Sequence, residues 1–354
     1  MEVFQEKLLN LFNFKVSKNY TKKLLFIGNY LSKTRGSKGV VETIVNQIDN
    51  PKLIFRLCSK FENKLVRLID FIWSLFFTKY DEIYVDVYSG KAFFFTKLAV
   101  LASKIREKKI IGTLRGGALK GYDQKNMGIV LKTIKKIDRL QSPSKFLIHY
   151  FNQYKLNVNY LPNPISLIDF KYNRSKVIDN SILWVRAFDK IYNPSLAIRI
   201  VNELKKDVPD VKLTMIGPDR GLLKECLLLI DSLNLKNNIE VLGKIPHEEL
   251  PLYYQTHDIF LNTTSYESFG NALVEAAACG IPIVSTSVGE IPFSWEHEKN
   301  IILINSFEAK AFSSVIGDLM QNHDLKSNLS LLARKKAEQY DINKIIPLWN
   351  FSNY

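Results

Sequence analysis

A chain of 354 residues is too long for one comfortable core and fits two domains of ordinary size. Its 46% hydrophobic and 24% charged residues are the balance of a folded soluble protein, and no apolar run reaches the roughly 18 residues that cross a bilayer. The net charge of +14 is unevenly placed: residues 1–170 hold 29 Lys+Arg against 13 Asp+Glu, whereas residues 171–354 hold 20 against 22. An excess of that kind turns the first half toward something anionic, such as a membrane surface, a phosphorylated lipid or nucleic acid, unless it is only Lys-rich solubility. The N-terminus carries Glu2 and Glu6 and no compact apolar segment, so it does not read as a secretory signal. Cys58, Cys226 and Cys279 lie far apart without metal-type spacing, which fits a reduced, cytoplasmic setting.

In chain order, residues 1–20 predict an added amphipathic helix with Phe4, Leu8, Leu11 and Phe12 on one side. Strands are then predicted at Leu24–Ile27, Lys52–Leu57, Ile83–Val87, Ile110–Leu114, Ile137–Leu140 and Val158–Leu161. Helices at Val40–Ile48, Asn63–Phe77 and Lys91–Arg106 fall between them. After Leu161-Pro-Asn-Pro-Ile165, where two prolines forbid helix, the rhythm repeats. Strands follow at Ile182–Val185, Leu213–Ile216, Ile239–Leu242, Ile259–Asn262, Ile283–Ser285 and Ile301–Ile304. Their helices are Pro194–Lys206, Leu222–Leu233, Glu248–Gln255, Gly270–Cys279 and Phe307–Gln321. Alternating strands and helices predict an α/β protein of two doubly wound, Rossmann-like domains, 21–165 and 166–335, facing each other across a cleft. A C-terminal helix over 336–354 is expected to cross back to the first domain.

The strongest local signal runs from Asn262 to Pro282 as strand, loop, helix and stop. Ser268 reads as an N-cap, and Gly270 lets backbone approach a ligand. Gly280 and Pro282 mark the helix end. Amides near Phe269, Gly270 and Asn271, with the helix dipole, suit a diphosphate. Glu267 before the helix and Glu275 one turn inside it are acceptors for hydroxyls and can bracket a polyol.

The run Glu267-Ser-Phe-Gly-Asn-Ala-Leu-Val-Glu275 resembles the E-x7-E motif of the retaining glycosyltransferases of family four, which have the GT-B fold. His257-Asp-Ile-Phe-Leu-Asn before it, Ala276-Ala-Ala-Cys-Gly-Ile-Pro and Val288-Gly-Glu-Ile-Pro after it, and the upstream Met215-Ile-Gly217-Pro and Val241-Leu-Gly243 carry the resemblance further. It covers about 182–292 well and the first domain weakly. It implies that Glu267 binds donor-sugar hydroxyls, Glu275 the ribose and the Phe269–Asn271 backbone the diphosphate, with Gly217, Gly243 and Lys244 also on the donor side. Arg186 and Lys190, where relatives carry an Arg and a Lys, would neutralise the departing diphosphate. Here their spacing is four rather than five, and Val185 stands where a Gly is usual.

In the first domain the loop from Gly28 to Gly39, with Gly36 and Gly39, resembles the family's N-terminal glycine loop and would contact donor or acceptor. Thr113-Leu-Arg115-Gly116-Gly117 ends a strand where many relatives have a histidine; His149 is the only histidine before His247. Arg115 is therefore expected to bind an acidic acceptor or a phosphate, or to be a surface residue of a Gly-Gly turn. No Asp-x-Asp occurs, so no cofactor and a metal-independent reaction are expected.

These readings predict a retaining hexosyl transfer from a nucleotide-diphosphate sugar to a saccharide or lipid-linked saccharide, in bacterial surface-polysaccharide synthesis. The basic half and the stretch Phe71-Ile-Trp-Ser-Leu-Phe-Phe77 fit peripheral contact with an anionic membrane. A nucleotide-sugar epimerase and a non-catalytic nucleotide-sugar or glycan-binding protein are the alternatives. Nucleic-acid binding has no motif to support it, and neither half has the dinucleotide fingerprint after a strand.

Overall fold

The computed structural model describes residues 21–28, 30, 39–116, 124–175 and 177–351. The extension read over residues 1–20, and the loop residues Gly36 and Gly117, lie outside the described residues.

The first half forms β1 (Lys22–Ile27), β2 (Leu53–Cys58), β3 (Glu82–Val87), β4 (Lys109–Leu114), β5 (Arg139–Ser142) and β6 (Val158–Tyr160). These make one six-stranded sheet in the order β2-β1-β3-β4-β5-β6, with every neighbouring pair parallel. Parallel strands need long crossovers, which are supplied by α1 (Val40–Gln47), α2 (Lys64–Phe77), α3 (Phe93–Ile105), α4 (Gln124–Ile134) and α5 (Lys145–Asn152).

The second half repeats the plan with β7 (Ile178–Val185), β8 (Lys212–Ile216), β9 (Ile239–Gly243), β10 (His257–Asn262), β11 (Ile283–Thr286) and β12 (Ile302–Ile304). Its parallel sheet has the order β12-β11-β10-β7-β8-β9. Its helices are α6 (Pro194–Leu204), α7 (Leu223–Ser232), α8 (Leu250–Thr256), α9 (Asn271–Cys279), α10 (Ile291–Ser294), α11 (Ala309–Gln321), α12 (His323–Ala337) and α13 (Ile342–Ile345).

Alternation along each strand builds the two cores of this domain. Ile182 and Trp184 of β7 point into a cluster with Ile198, Val201 and Phe312, while the intervening Leu183 joins Phe260, Leu273 and Ile283 on the other face. All six residues of the central β10 are buried, as expected of a strand covered on both faces. Strand order reverses between β1 and β3 in one sheet and between β7 and β10 in the other. Ligands of such sheets bind beyond the carboxyl ends of the strands at that reversal.

The C-terminal expectation needs a correction. Residues 338–349 form short turns rather than one helix: a 3-10 turn at Glu338–Tyr340, α13, and a second 3-10 turn at Ile346–Trp349. Asp341 starts a new turn by accepting from the Asn343 amide at 2.8 Å, and Pro347 has no N–H to continue a helix. Ile345, Trp349 and Phe351 pack with Leu24, Phe26 and Tyr84 of the first sheet. Residues 345–351 thus pack back against the first domain.

Candidate functional site

Arg186 is the first residue after β7, its amide held by the Ile216 carbonyl at 2.9 Å. Its Nε donates to Asn262 Oδ1 at 3.1 Å and its Nη2 to Glu267 Oε2 at 2.8 Å. Both charged side chains of that pair are 10% exposed. Asn262 ends β10 and is itself oriented by donating to Ser285 Oγ at 2.8 Å. The arginine also lies over the Tyr192 ring, 5.3 Å from its centroid. The two strand ends that flank the reversal in the second sheet are therefore bridged by one fixed guanidinium.

Glu267 is used twice. Its other oxygen accepts from the amides of Ser268 at 3.0 Å and Phe269 at 3.4 Å. This corrects two sequence expectations. Ser268 does not cap the helix: α9 begins at Asn271, and Gly270, in the left-handed region at φ 89°, is the N-cap. The Phe269 amide is turned to Glu267 rather than to open space. The amides at Gly270 and Asn271 stand at the start of the helix, where first-turn N–H groups have no intrahelical acceptor. Gly289 packs against this loop so closely that a Cβ would stand 2.2 Å from the Glu267 carbonyl oxygen.

At the other end of the motif, Glu275 is held by His247 Nε2 at 3.0 Å and by the Tyr254 hydroxyl, which donates at 3.1 Å. It lines a cavity of about 710 Å³ with Gly39, Val40, His247, Phe269 and Asn271, so residues of both domains share the wall. The hydrogen bond to Glu275 raises the His247 pKa against the opposing effect of burial, and the charges of Glu275, Glu248 and Asp169 add to the rise. A raised histidine contributes stability that is full below its unfolded value and is lost as pH rises through its folded value. Melting temperature is accordingly expected to fall slightly from about pH 6 to about pH 8, and His247→Gln to flatten that slope. Differential scanning fluorimetry across that range reads the effect.

Of the other positions expected on the donor side, Gly217 and Gly243 meet beside Arg186. A Cβ on Gly217 would lie 1.8 Å from the Arg186 carbonyl oxygen, and its amide donates to the Gly243 carbonyl at 2.7 Å. Gly217 thus lets the ends of β7 and β8 crowd together, whereas a Cβ on Gly243 would meet nothing within 4 Å and only its left-handed φ of 68° favours glycine. Lys190 opens the 3-10 turn Lys190–Tyr192, and Lys244 follows β9; both are exposed.

On the first domain, Arg115 is not a surface residue. Its Nε donates to Asp86 Oδ1 at 2.7 Å, and its Nη1 donates to Asn163 Oδ1 at 2.7 Å. Asn163 Nδ2 in turn donates to Asn271 Oδ1 at 3.0 Å, so a polar chain crosses from β3 to the start of α9. Burial works most strongly against the Arg115 charge, but the adjoining Asp86 carboxylate, Tyr88 and Tyr30 together outweigh burial and hold the guanidinium above its ordinary value. A cavity of about 240 Å³ lies here, lined by Tyr30, Gly39, Asp86, Tyr88, Arg115 and Ser268 among others. Gly116 packs against the chain: its amide donates to the Val87 carbonyl, and a Cβ would meet the Ser89 nitrogen at 2.6 Å. Gly39 caps α1, its amide donating to Glu42 Oε2 at 2.8 Å. Among the described residues, no three His, Cys, Asp or Glu side chains come together as a metal-binding group.

Sequence reasoning missed Asp86, Asn163, His247, Tyr254 and Glu290. Asp86 lies one residue before the end of β3, a position at which a site is expected in such sheets. Glu290 is fully buried and reaches the other domain, accepting from Ser144 Oγ and the Phe146 amide, each at 2.8 Å, and from Ser294 Oγ.

Residues 168–336 match the family described as Glycosyl transferases group 1. The match covers the second domain. A D-inositol 3-phosphate glycosyltransferase of Corynebacterium jeikeium is 27% identical over 173 residues, 47% of this chain and 40% of the relative. In Homo sapiens, one phosphatidylinositol N-acetylglucosaminyltransferase polypeptide is 32% identical over 139 residues, 38% of this chain and 28% of the relative. The chain thus spans about two fifths or less of these group 1 relatives. Over the whole chain the fold is shared with Anabaena HepE, solved with UDP and glucose, at TM-score 0.72 and 17% identity, covering 93% of this chain and 98% of that one. A sucrose-phosphate synthase of Thermosynechococcus elongatus superposes at TM-score 0.74 with 16% identity, covering 93% and 97%. The two facing parallel sheets are the GT-B fold.

Proposed function

We propose that this chain transfers a sugar from a nucleotide-diphosphate sugar to a hydroxyl of an acceptor, with the donor on the second domain and the acceptor on the first. The observation that carries the reading is the Arg186–Glu267 pair at the strand reversal, set beside the N-terminus of α9. Diphosphate oxygens would meet the Gly270 and Asn271 amides and the positive end of the helix. Arg186, with Lys190 swinging in from its exposed turn, would stabilise the charge that develops on the leaving phosphate. Glu267 would accept from sugar hydroxyls and Glu275 from the ribose.

In the reaction, the bond from the sugar's anomeric carbon to the phosphate oxygen breaks and a bond to the acceptor oxygen forms. The acceptor's proton passes to the leaving phosphate. Attack on the face the phosphate leaves from retains the anomeric configuration, and this scheme assigns no role to a metal. The names of the relatives support a polyol or lipid-borne acceptor, and the UDP complex of HepE supports a uridine nucleotide. With Asp86 already matching the Arg115 charge, the first-domain pocket suits a hydroxyl-rich acceptor group better than an acidic one. The basic first half fits an acceptor at the cytoplasmic face of an anionic membrane, in bacterial surface-polysaccharide assembly.

A thermal-shift panel of UDP, GDP and ADP and their sugar conjugates tests the donor side. One nucleotide family at about 100 times its Kd is expected to stabilise the protein by about 2.7 kcal/mol, and Glu275→Ala to abolish that response. A flat panel would remove the reading.

A further inference from the structure

The first domain carries an apolar surface that the reaction does not use. Helix α2 buries Phe71, Ser74 and Leu75 against the sheet and turns the opposite stripe outward. Leu65 is 72% exposed, Ile69 65%, Trp73 56% and Phe77 66%, with Val66 and Ile72 beside them. Helix α3 packs next to α2, with Phe71 and Phe95 ring centroids 4.2 Å apart, and exposes Phe94, Leu101 and Ile105. Spacing by three, four or seven residues puts each set on one helix face.

Charge identifies what this face fits. Helix α3 has no acidic residue and presents Lys97 and Lys104 alongside its exposed apolar row. The single acid of α2, Asp70, is turned inward, accepting from Cys58 Sγ at 3.2 Å and lying 3.8 Å from Arg56. Lys60, Lys64, Lys79 and Lys91 are exposed near the helix ends. No helix among the described residues is long and apolar enough to cross a membrane. Apolar side chains edged by lysines are the chemistry of a face that lies in the headgroup region of an anionic bilayer.

We infer that the outer face of α2 and α3 seats on an anionic lipid surface, with Leu65, Ile69, Trp73 and Phe77 inserted and Lys97 and Lys104 at the headgroups. This rests on the peripheral-membrane reading above and names the surface responsible. The placement also serves the reaction. Both helices start beyond the carboxyl ends of their strands, and the turn Gly90–Ala92 before α3 follows Tyr88, which lines the small cavity. The face therefore begins at the rim of the cleft, where an acceptor carried on lipid would enter.

The test floats the full chain with phosphatidylcholine vesicles, with and without phosphatidylglycerol. Trp184, Trp295 and Trp349 are buried, so Trp73 is the tryptophan able to report contact. Wild type is expected to float only with the anionic vesicles and to show a blue shift that Trp73→Phe removes. Leu65→Glu with Ile69→Glu should reduce flotation about tenfold or more while nucleotide-induced thermal stabilisation is kept, and Leu228→Glu on the second domain should change nothing. If wild type floats and the double variant floats equally, the membrane reading stands and this surface is the wrong one. If wild type never floats, both fall, while the donor site is judged separately by nucleotide binding. If wild type is a dimer without vesicles and the double variant a monomer, the face joins two copies and the inference is overturned.

Discussion

Arg186→Ala is expected to lower transfer about 10²–10³-fold, the effect of removing one preorganised donor from a developing negative charge, or about 3–4 kcal/mol. The residue is suited to that size of effect because Asn262 and Glu267 fix its guanidinium before any ligand arrives. No reorganisation is then needed as charge develops. The variant also leaves Glu267 without its cation at a site where both side chains are 10% exposed. Breaking a buried pair costs about 3–5 kcal/mol, and the low end is expected because the Ser268 and Phe269 amides remain on the carboxylate. Arg186→Lys separates the two effects. It keeps the charge but cannot reach Asn262 and Glu267 together, so stability should recover more than the catalytic constant does. Steady-state kinetics with nucleotide release, run beside thermal melts, reads both. Wild-type turnover in Arg186→Ala would sink the assignment of the leaving-group site.

Much of this site was legible because its parts are local in sequence. The loop and helix from Glu267 to Gly280 announce themselves through glycine, proline and a paired acid at helical spacing, and α9 ends at a left-handed Gly280. Every strand in the sequence reading overlaps an observed one, since buried parallel strands are short apolar runs. The largest shift is at β7, which starts at Ile178 rather than Ile182; β5 starts at Arg139 rather than Ile137, because the Ile137 amide still closes the turn after α4 on the Ile134 carbonyl. Helices α4, α5, α10 and α12 were not anticipated. Helix α5 is only eight residues long, and α12 is so polar that its stripe of Leu329, Ala333 and Ala337 is thin.

What sequence could not supply is pairing across distance. Arg186 and Glu267 were read as separate ligands of phosphate and sugar, and their joining over 81 positions is set by sheet order, which no local pattern encodes. Arg115 looked like a loop cation with an anion to find, yet its partner Asp86 comes from the neighbouring strand, 29 positions earlier. The Ser268 cap failed for a similar reason: the Glu267 carboxylate takes the nearby amides first, and the helix waits for Gly270.

Glu290 is where distance matters most, and Glu290→Ala is expected to uncouple the domains. Its carboxylate caps α5 from the opposite domain, taking Ser144 Oγ and the Phe146 amide, while its own amide donates to the Glu267 carbonyl at 3.0 Å. Phe146 and Phe293, with ring centroids 5.6 Å apart, close the same seam. One residue thus ties the Glu267 loop to a helix of the other domain. Truncation strands buried donors, each costing about 1–3 kcal/mol, so a loss of roughly 2–4 kcal/mol is expected. Glu290→Gln keeps the shape and one acceptor and should lose less. The donor contacts proposed above lie on the second domain, so nucleotide affinity should stay within about twofold while the catalytic constant falls about tenfold or more, because the acceptor is no longer held in line. Amide exchange at residues 145–148 should rise in the same variant, a readout that needs no activity. Unchanged exchange there, or a fall in nucleotide affinity that accounts for all of the lost turnover, would show that Glu290 does not hold the two halves of the site in register.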